Sequence, residues 1–104
     1  MANYALAYKG GKMAETDEER ERVMAAWGEW MGALGPSLVD FGNPFGASAT
    51  VTNGGTVSDG AASALTGYSI LDADSLAAAT ELAKGCPVLA NGGSVEVYET
   101  IKVM

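Results

Sequence analysis

The sequence predicts an α+β domain in which two strand–helix–strand units, joined by a β-hairpin, share one antiparallel sheet. Three observations carry that prediction. Residues 67–104 read as a strand, a capped helix and a closing strand. The first forty residues repeat that order. Between them, Asn53-Gly54-Gly55 is a strong hairpin turn, because all three residues accept positive φ.

Asn3–Tyr8 alternates Tyr4, Leu6 and Tyr8 against Asn3, Ala5 and Ala7, which is the period-two pattern of a strand. Lys9-Gly10-Gly11-Lys12 breaks it and offers amides and two positive charges to an anion, although without the spacing of a phosphate-binding loop. Thr16-x-x-Glu19 is a capping box, and Asp17, Glu18 and Glu19 suit the positive end of a helix dipole. The helix that follows carries Val23, Trp27, Trp30 and Leu34 on one face, with Met24 and Met31 beside them, a stripe that reads as core. Gly28, Gly32 and Gly35, which lie with Ala25 along one flank of the helix, each cost about 1 kcal/mol of helix propensity against alanine. Close approach of another element or simple tolerance at a surface would each account for them. Gly35-Pro36 ends the helix.

Leu38–Phe41 reads as the second strand, broken by Gly42-Asn43-Pro44. Ser48–Thr52 and Thr56–Ser58 form the hairpin arms. Leu65–Leu71 is the next strand, Asp74 caps the second helix, and Leu76, Ala79, Thr80 and Ala83 make its slim buried stripe. Val88–Gly93 reads as loop, and Ser94–Val103 alternates again through Val95, Val97, Ile101 and Val103. This order matches a ferredoxin-like βαββαβ sandwich with an extra β-hairpin, a single domain over residues 1–104. Right-handed crossovers place both helices on one face. The other face is then expected to be apolar: Tyr68 and Ile70 stand on one parity while Leu65 and Leu71 stand on the other, and the β1 tyrosines oppose alanines. A sheet with one wet face alternates more cleanly, so a homodimer through the sheet face is expected.

Composition narrows the function classes. Six Lys and Arg against thirteen Asp and Glu give a net charge of −7, which repels phosphate backbones and anionic membranes. Neither nucleic acid nor membrane is an expected partner, and no apolar run approaches a membrane span. The single Cys86 excludes an internal disulfide and, with no signal-peptide pattern, points to a cytoplasmic setting. Beside Gly85 and Pro87 it reads as a small packed side chain, with Lys84 the one basic neighbour that could activate it. The chain has no histidine, which removes the usual general base and every Ser-His or Cys-His arrangement. No cluster has metal-ligand spacing, and no cofactor is implied.

Carboxylates and tyrosines remain as candidates for chemistry. Glu99 shares the parity of Val95, Val97, Ile101 and Val103, so a regular strand aims it at an apolar face as an acid or base. A bulge, or a strand end in solvent, would turn it outward instead. Asp59 is the second candidate catalytic acid, or else half of an Asp-Gly turn. Tyr4, Tyr8 and Tyr68 could present hydroxyls to a ligand, and Asp40 lies in a short strand nearby, where it could equally protect an edge.

Gly67-Tyr68-Ser69-Ile70-Leu71-Asp72-Ala73-Asp74-Ser75-Leu76, then Ala79 and Gly93-Ser94-Val95-Glu96-Val97, resembles the YCII-related (DGPF-domain) family. Val57-Ser58-Asp59-Gly60 is similar to the first half of its Asp-Gly-Pro-Phe motif, with Ala61-Ala62 where Pro-Phe would follow. Met24-Ala25-Ala26-Trp27 is similar to its first helix. The resemblance implies a dimeric α/β-barrel type of ferredoxin-like fold, mostly bacterial, with activity generally unassigned. Some members of the wider group carry a His-Asp pair, which this chain lacks. Three functions follow as expectations. One is a dimeric module binding a small molecule or a protein. Another is a cofactor-free enzyme of lyase, isomerase or oxygenase-like type using Glu99, Asp59 and the tyrosines. The last, from the company such proteins keep, is an accessory role in transcriptional regulation.

Overall fold

The computed structural model describes residues 2–11 and 15–103, so Lys12 of the Lys9–Lys12 turn lies outside the described residues. In chain order the elements are β1 (Ala2–Lys9), α1 (Asp17–Leu34), a 3-10 turn (Gly35–Ser37), β2 (Leu38–Asp40), β3 (Ala49–Val51), β4 (Val57–Asp59), β5 (Leu65–Ala73), α2 (Leu76–Ala83), α3 (Pro87–Ala90) and β6 (Ser94–Glu99). Four strands form one antiparallel sheet in the order β2-β5-β1-β6, while β3 and β4 make a separate two-stranded ribbon. With β1 central and α1 and α2 carrying the crossovers, this mixed α+β architecture is compatible with a ferredoxin-like fold.

Local chemistry sets the helix starts. Thr16 Oγ1 accepts from Glu19 N at 3.1 Å, and the Glu19 carboxylate accepts from Glu15 N at 2.9 Å, one residue ahead of the cap. At α2 the cap is Ser75 rather than Asp74: its backbone is extended and its Oγ accepts from Ala78 N at 3.1 Å. Pro87 opens a single helical turn where a loop was expected, since its fixed φ suits a first helical position.

Side chains alternate across a strand, so β1 sends Tyr4, Leu6 and Tyr8 to the helix side, where they are 1, 0 and 5% exposed. β5 sends Ser69, Leu71 and Ala73 there too. Trp30 and Leu34 of α1, Ala79 and Ala83 of α2, and then Cys86 and Val88 close the core over them. The opposite face carries Ala5, Ala7, Tyr68, Ile70 and Tyr98, interrupted by Asn3, Asp72 and Glu96. The helices all lie on the other side, so among the described residues no helix packs on this face.

A bulge explains the mixed parity of β5. Tyr8 faces Gly67 but Lys9 faces Leu65, which leaves Thr66 as the extra residue, its hydroxyl donating to the Tyr8 carbonyl at 3.2 Å. Leu65 thereby joins Tyr68 and Ile70 on the open face while Leu71 faces the helices. β6 stops at Glu99, earlier than the alternation through Val103 suggests, its paired register with β1 ending at Tyr4 opposite Glu99. Beyond it, Thr100 still bonds to the Asn3 carbonyl, but Ile101 and Val103 are 77 and 83% exposed.

The molecule is flat, 44 × 40 × 18 Å, with a radius of gyration of 15.1 Å. A compact chain of this length has about 13 Å.

Candidate ligand groove

A hollow of about 670 Å³ lies between α1 and the β5 edge of the sheet. One wall is a stripe of α1: Val23, Met24, Trp27, Gly28, Met31 and Gly32. The facing wall is the segment Phe41-Gly42-Asn43-Pro44, and Tyr8, Leu38, Thr66, Gly67 and Tyr68 form the floor. An added Cβ at Gly28 or Gly32 would meet nothing within 4 Å. Among the described residues no element approaches them closely, and each leaves a notch in the wall.

The facing wall is held by three devices. Pro44 bridges to Gly67, and Phe45 N donates to the Thr66 carbonyl at 2.9 Å, so the segment after β2 keeps running along the edge of β5. Asp40 Oδ1 accepts from Gly42 N at 2.8 Å. Gly42 itself has φ +71°, and a Cβ there would overlap the Tyr68 carbonyl, so only glycine fits. Phe45 stacks on Tyr68 with ring centres 5.7 Å apart.

At the floor the Tyr8 hydroxyl donates to Ser69 Oγ at 2.7 Å, and Ser69 donates in turn to the Phe41 carbonyl at 2.5 Å. This relay ties β1, β5 and the outer wall together and satisfies the fully buried Ser69. Burial pushes the Tyr8 phenol up to about 12, only partly offset by its bond to Ser69. The phenol therefore stays protonated near neutrality, with its hydrogen committed inward. Trp27 lies edge-on to Tyr8 at 5.1 Å and to Trp30 at 5.7 Å, while Trp30 is anchored through its indole N–H to the Leu82 carbonyl at 3.1 Å. Among the described residues the lining of the slot is mainly apolar and aromatic.

Among the candidates read from the sequence, Tyr8 lines this groove, and Tyr68 borders it while its register with Ala7 puts its side chain on the open sheet face. Asp40 borders it but spends a carboxylate oxygen on Gly42 N. Tyr4 and Glu99 face each other elsewhere, on β1 and the end of β6, joined by a 3.4 Å bond from the buried phenol to the exposed carboxylate. The Tyr4 phenol is shifted up, first by burial and then by the charge of Glu99. Asp59 sits on the ribbon, opposite Ala49. Glu99 and Asp59 are thus not brought together, and neither lines the groove.

Sequence reasoning missed Met24, Trp27, Met31 and the two helical glycines as wall residues, because a Met and Trp stripe reads as core. The available signal was Gly28 and Gly32, four apart and alternating with Trp27 and Met31.

A second, more open hollow of about 610 Å³ lies between α1 and α3, with Arg22, Glu29 and Lys84 on its rim and Cys86 at its base. Cys86 is buried and unpaired, and burial pushes its thiol up to about 11, so it is a packed side chain rather than a nucleophile. Among the described residues no group of three or more Cys, Asp or Glu could hold a metal ion, and no helix is long and apolar enough to cross a membrane.

No curated protein matches this chain. The model of the YCII-related domain matches residues 1–103, nearly the whole length, and the chain belongs to the YCII-related family.

Proposed function

We propose that this YCII-related protein is a homodimeric binding module that takes an apolar, neutral small molecule into the groove between α1 and the 41–44 wall. One observation carries the reading: about 670 Å³ of space lined by Trp27, Met24, Met31, Leu38 and Phe41, in which the buried hydroxyls of Tyr8 and Ser69 satisfy each other. An apolar slot without free charge gains affinity from desolvated aromatic and thioether surface. The net charge of −7 disfavours anionic ligands as well. Dimerisation through the open sheet face is supported by its apolar row of Ala5, Ala7, Tyr68, Ile70 and the 54% exposed Tyr98. A cofactor-free enzyme built on Glu99 and Asp59 has less support, because the two carboxylates stand apart from the groove and from each other.

The test is a fluorescence titration with N-phenyl-1-naphthylamine, a neutral apolar probe. Saturable binding of one probe per chain is expected, with Trp27 emission quenched in step. Gly28→Leu with Gly32→Leu fills the notches and should abolish binding while the chain stays folded by circular dichroism. Binding that is non-saturable, or undiminished in the filled variant, removes the groove from consideration.

A further inference from the structure

Two stretches of the chain share the tripeptide Asn-Gly-Gly, at 53–55 and at 91–93, and the fold holds them in opposite ways. An asparagine followed by glycine can cyclise, because the next backbone nitrogen attacks the side-chain amide carbon and glycine puts no side chain in its path. The reaction needs that nitrogen free and the intervening peptide able to turn. At 91–93 neither condition is met. Gly92 N donates to the Leu89 carbonyl at 3.3 Å, the Asn91 side-chain amide to the Pro87 carbonyl at 3.4 Å, and Gly93 N to the Val88 carbonyl at 2.9 Å. Asn91 is also half-buried.

The stretch at 53–55 crosses the tip of the β3–β4 ribbon. Thr52 N donates to the Thr56 carbonyl at 2.9 Å and Gly55 N to the Thr52 carbonyl at 3.0 Å, which closes the turn. Between these bonds the Asn53–Gly54 peptide has no partner among the described residues on its N–H or its C=O, and the Asn53 side chain has none either. Every residue from 51 to 60 is exposed, and an added Cβ at Gly54 would meet nothing within 4 Å. The peptide plane is therefore free to rotate without giving up a hydrogen bond within the protein. The other candidates are closed. Asn43 precedes Pro44, which has no N–H, and Asn3 precedes Tyr4 inside β1, paired on both sides. After Asp59, Gly60 N donates to the Ser48 carbonyl at 2.9 Å.

We propose that Asn53 is a site of spontaneous covalent modification, deamidating through a succinimide to an aspartyl or isoaspartyl residue. Gly54 N bonds to Asn53 Cγ, its proton passes to the departing amide nitrogen, and ammonia leaves. Water then opens the ring. Cleavage of the Cγ–N bond restores the ordinary backbone with a carboxylate side chain. Cleavage of the backbone C–N bond instead routes the chain through Cβ and Cγ, lengthening the tip of the ribbon by one backbone atom. Either product adds a negative charge to a chain already at −7.

Timed incubation of the full chain in mildly alkaline buffer, followed by peptide mapping with mass spectrometry, tests this. Asn53 should convert at least about tenfold faster than Asn91, because the stretch at 91–93 must first open and release its hydrogen bonds. In concentrated urea both stretches are unfolded and carry the same tripeptide, so the two rates should converge. Asn53→Gln should remove the early release of ammonia from the folded protein, and Asn91→Gln should leave it unchanged. Equal rates in the folded chain, or faster conversion at Asn91, overturn the assignment. A difference that persists undiminished in urea also overturns it, since the cause then lies in the flanking sequence and not in the fold.

Discussion

Replacing Gly28 and Gly32 together by alanine should make the protein more stable while narrowing its groove. Both positions lie inside α1, between Asp17 and Leu34. Both are exposed, with nothing within 4 Å of an added methyl group. The steric term is therefore absent, and only helix propensity remains, about 0.8–1.0 kcal/mol per site. The methyl groups, one turn apart, create no clash that would break additivity, so the sum is near 2 kcal/mol. For a domain of this size, 1 kcal/mol moves Tm by roughly 4–8 °C, which predicts a rise of about 8–16 °C. Scanning calorimetry measures the shift, and urea unfolding at constant m checks that native compactness is unchanged. An unchanged or lowered Tm would refute the reasoning, since it would mean that something occupies the space beside the helix in solution. Affinity for the neutral probe should fall in the same variant.

Three further outcomes are expected. Ser69→Ala leaves the Tyr8 hydroxyl and the Phe41 carbonyl without their shared partner and should lower the urea-unfolding free energy by about 1–3 kcal/mol; adding Tyr8→Phe should recover part of that loss, and strictly additive losses would argue against the relay. Gly42→Ala combines a positive φ with overlap on the Tyr68 carbonyl and should cost about 1–3 kcal/mol or more while displacing the outer wall, seen as a lower Tm and weakened probe binding. Stability should also fall in alkali: the unfolded chain loses protons from Cys86 near pH 9 and Tyr8 near pH 10, while the folded chain holds them until about 11 and 12, so the stabilisation is complete below pH 9 and drains away between 9 and 12. Each group contributes at most about 3 kcal/mol. Urea midpoints at successive pH values should show this, with the fall beginning nearer pH 10 in Cys86→Ala.

Element order was legible because it rests on local chemistry. Thr16 caps α1 as the Thr-x-x-Glu spacing indicates, through a bond that needs only the next three residues. Where two residues carry the same local chemistry, the reading slipped by one: Asp74 and Ser75 are both good caps, and only the backbone turn selects Ser75. Alternation beyond Glu99 overestimated β6 because a strand lasts only while a neighbour pairs with it. The conflicting parities of Leu65 and Leu71 had a cause visible only in register, the extra residue Thr66. The groove was the least legible part. Its outer wall exists because Pro44 and Phe45 reach back to β5 some twenty residues later, and no short-range pattern announces such a contact.

The Trp27–Trp30 pair has a spectroscopic consequence. The two indoles are 5.7 Å apart and inclined at 78°, close enough for their transitions to couple as one chromophore. Trp30 is pinned by Leu82, whereas Trp27 borders the slot, so any rotation of the Trp27 ring would register against a fixed reference. An exciton couplet in the far-ultraviolet dichroism is therefore expected, it should change if the proposed ligand moves Trp27, and Trp27→Phe should erase it without disturbing the indole anchored in the core.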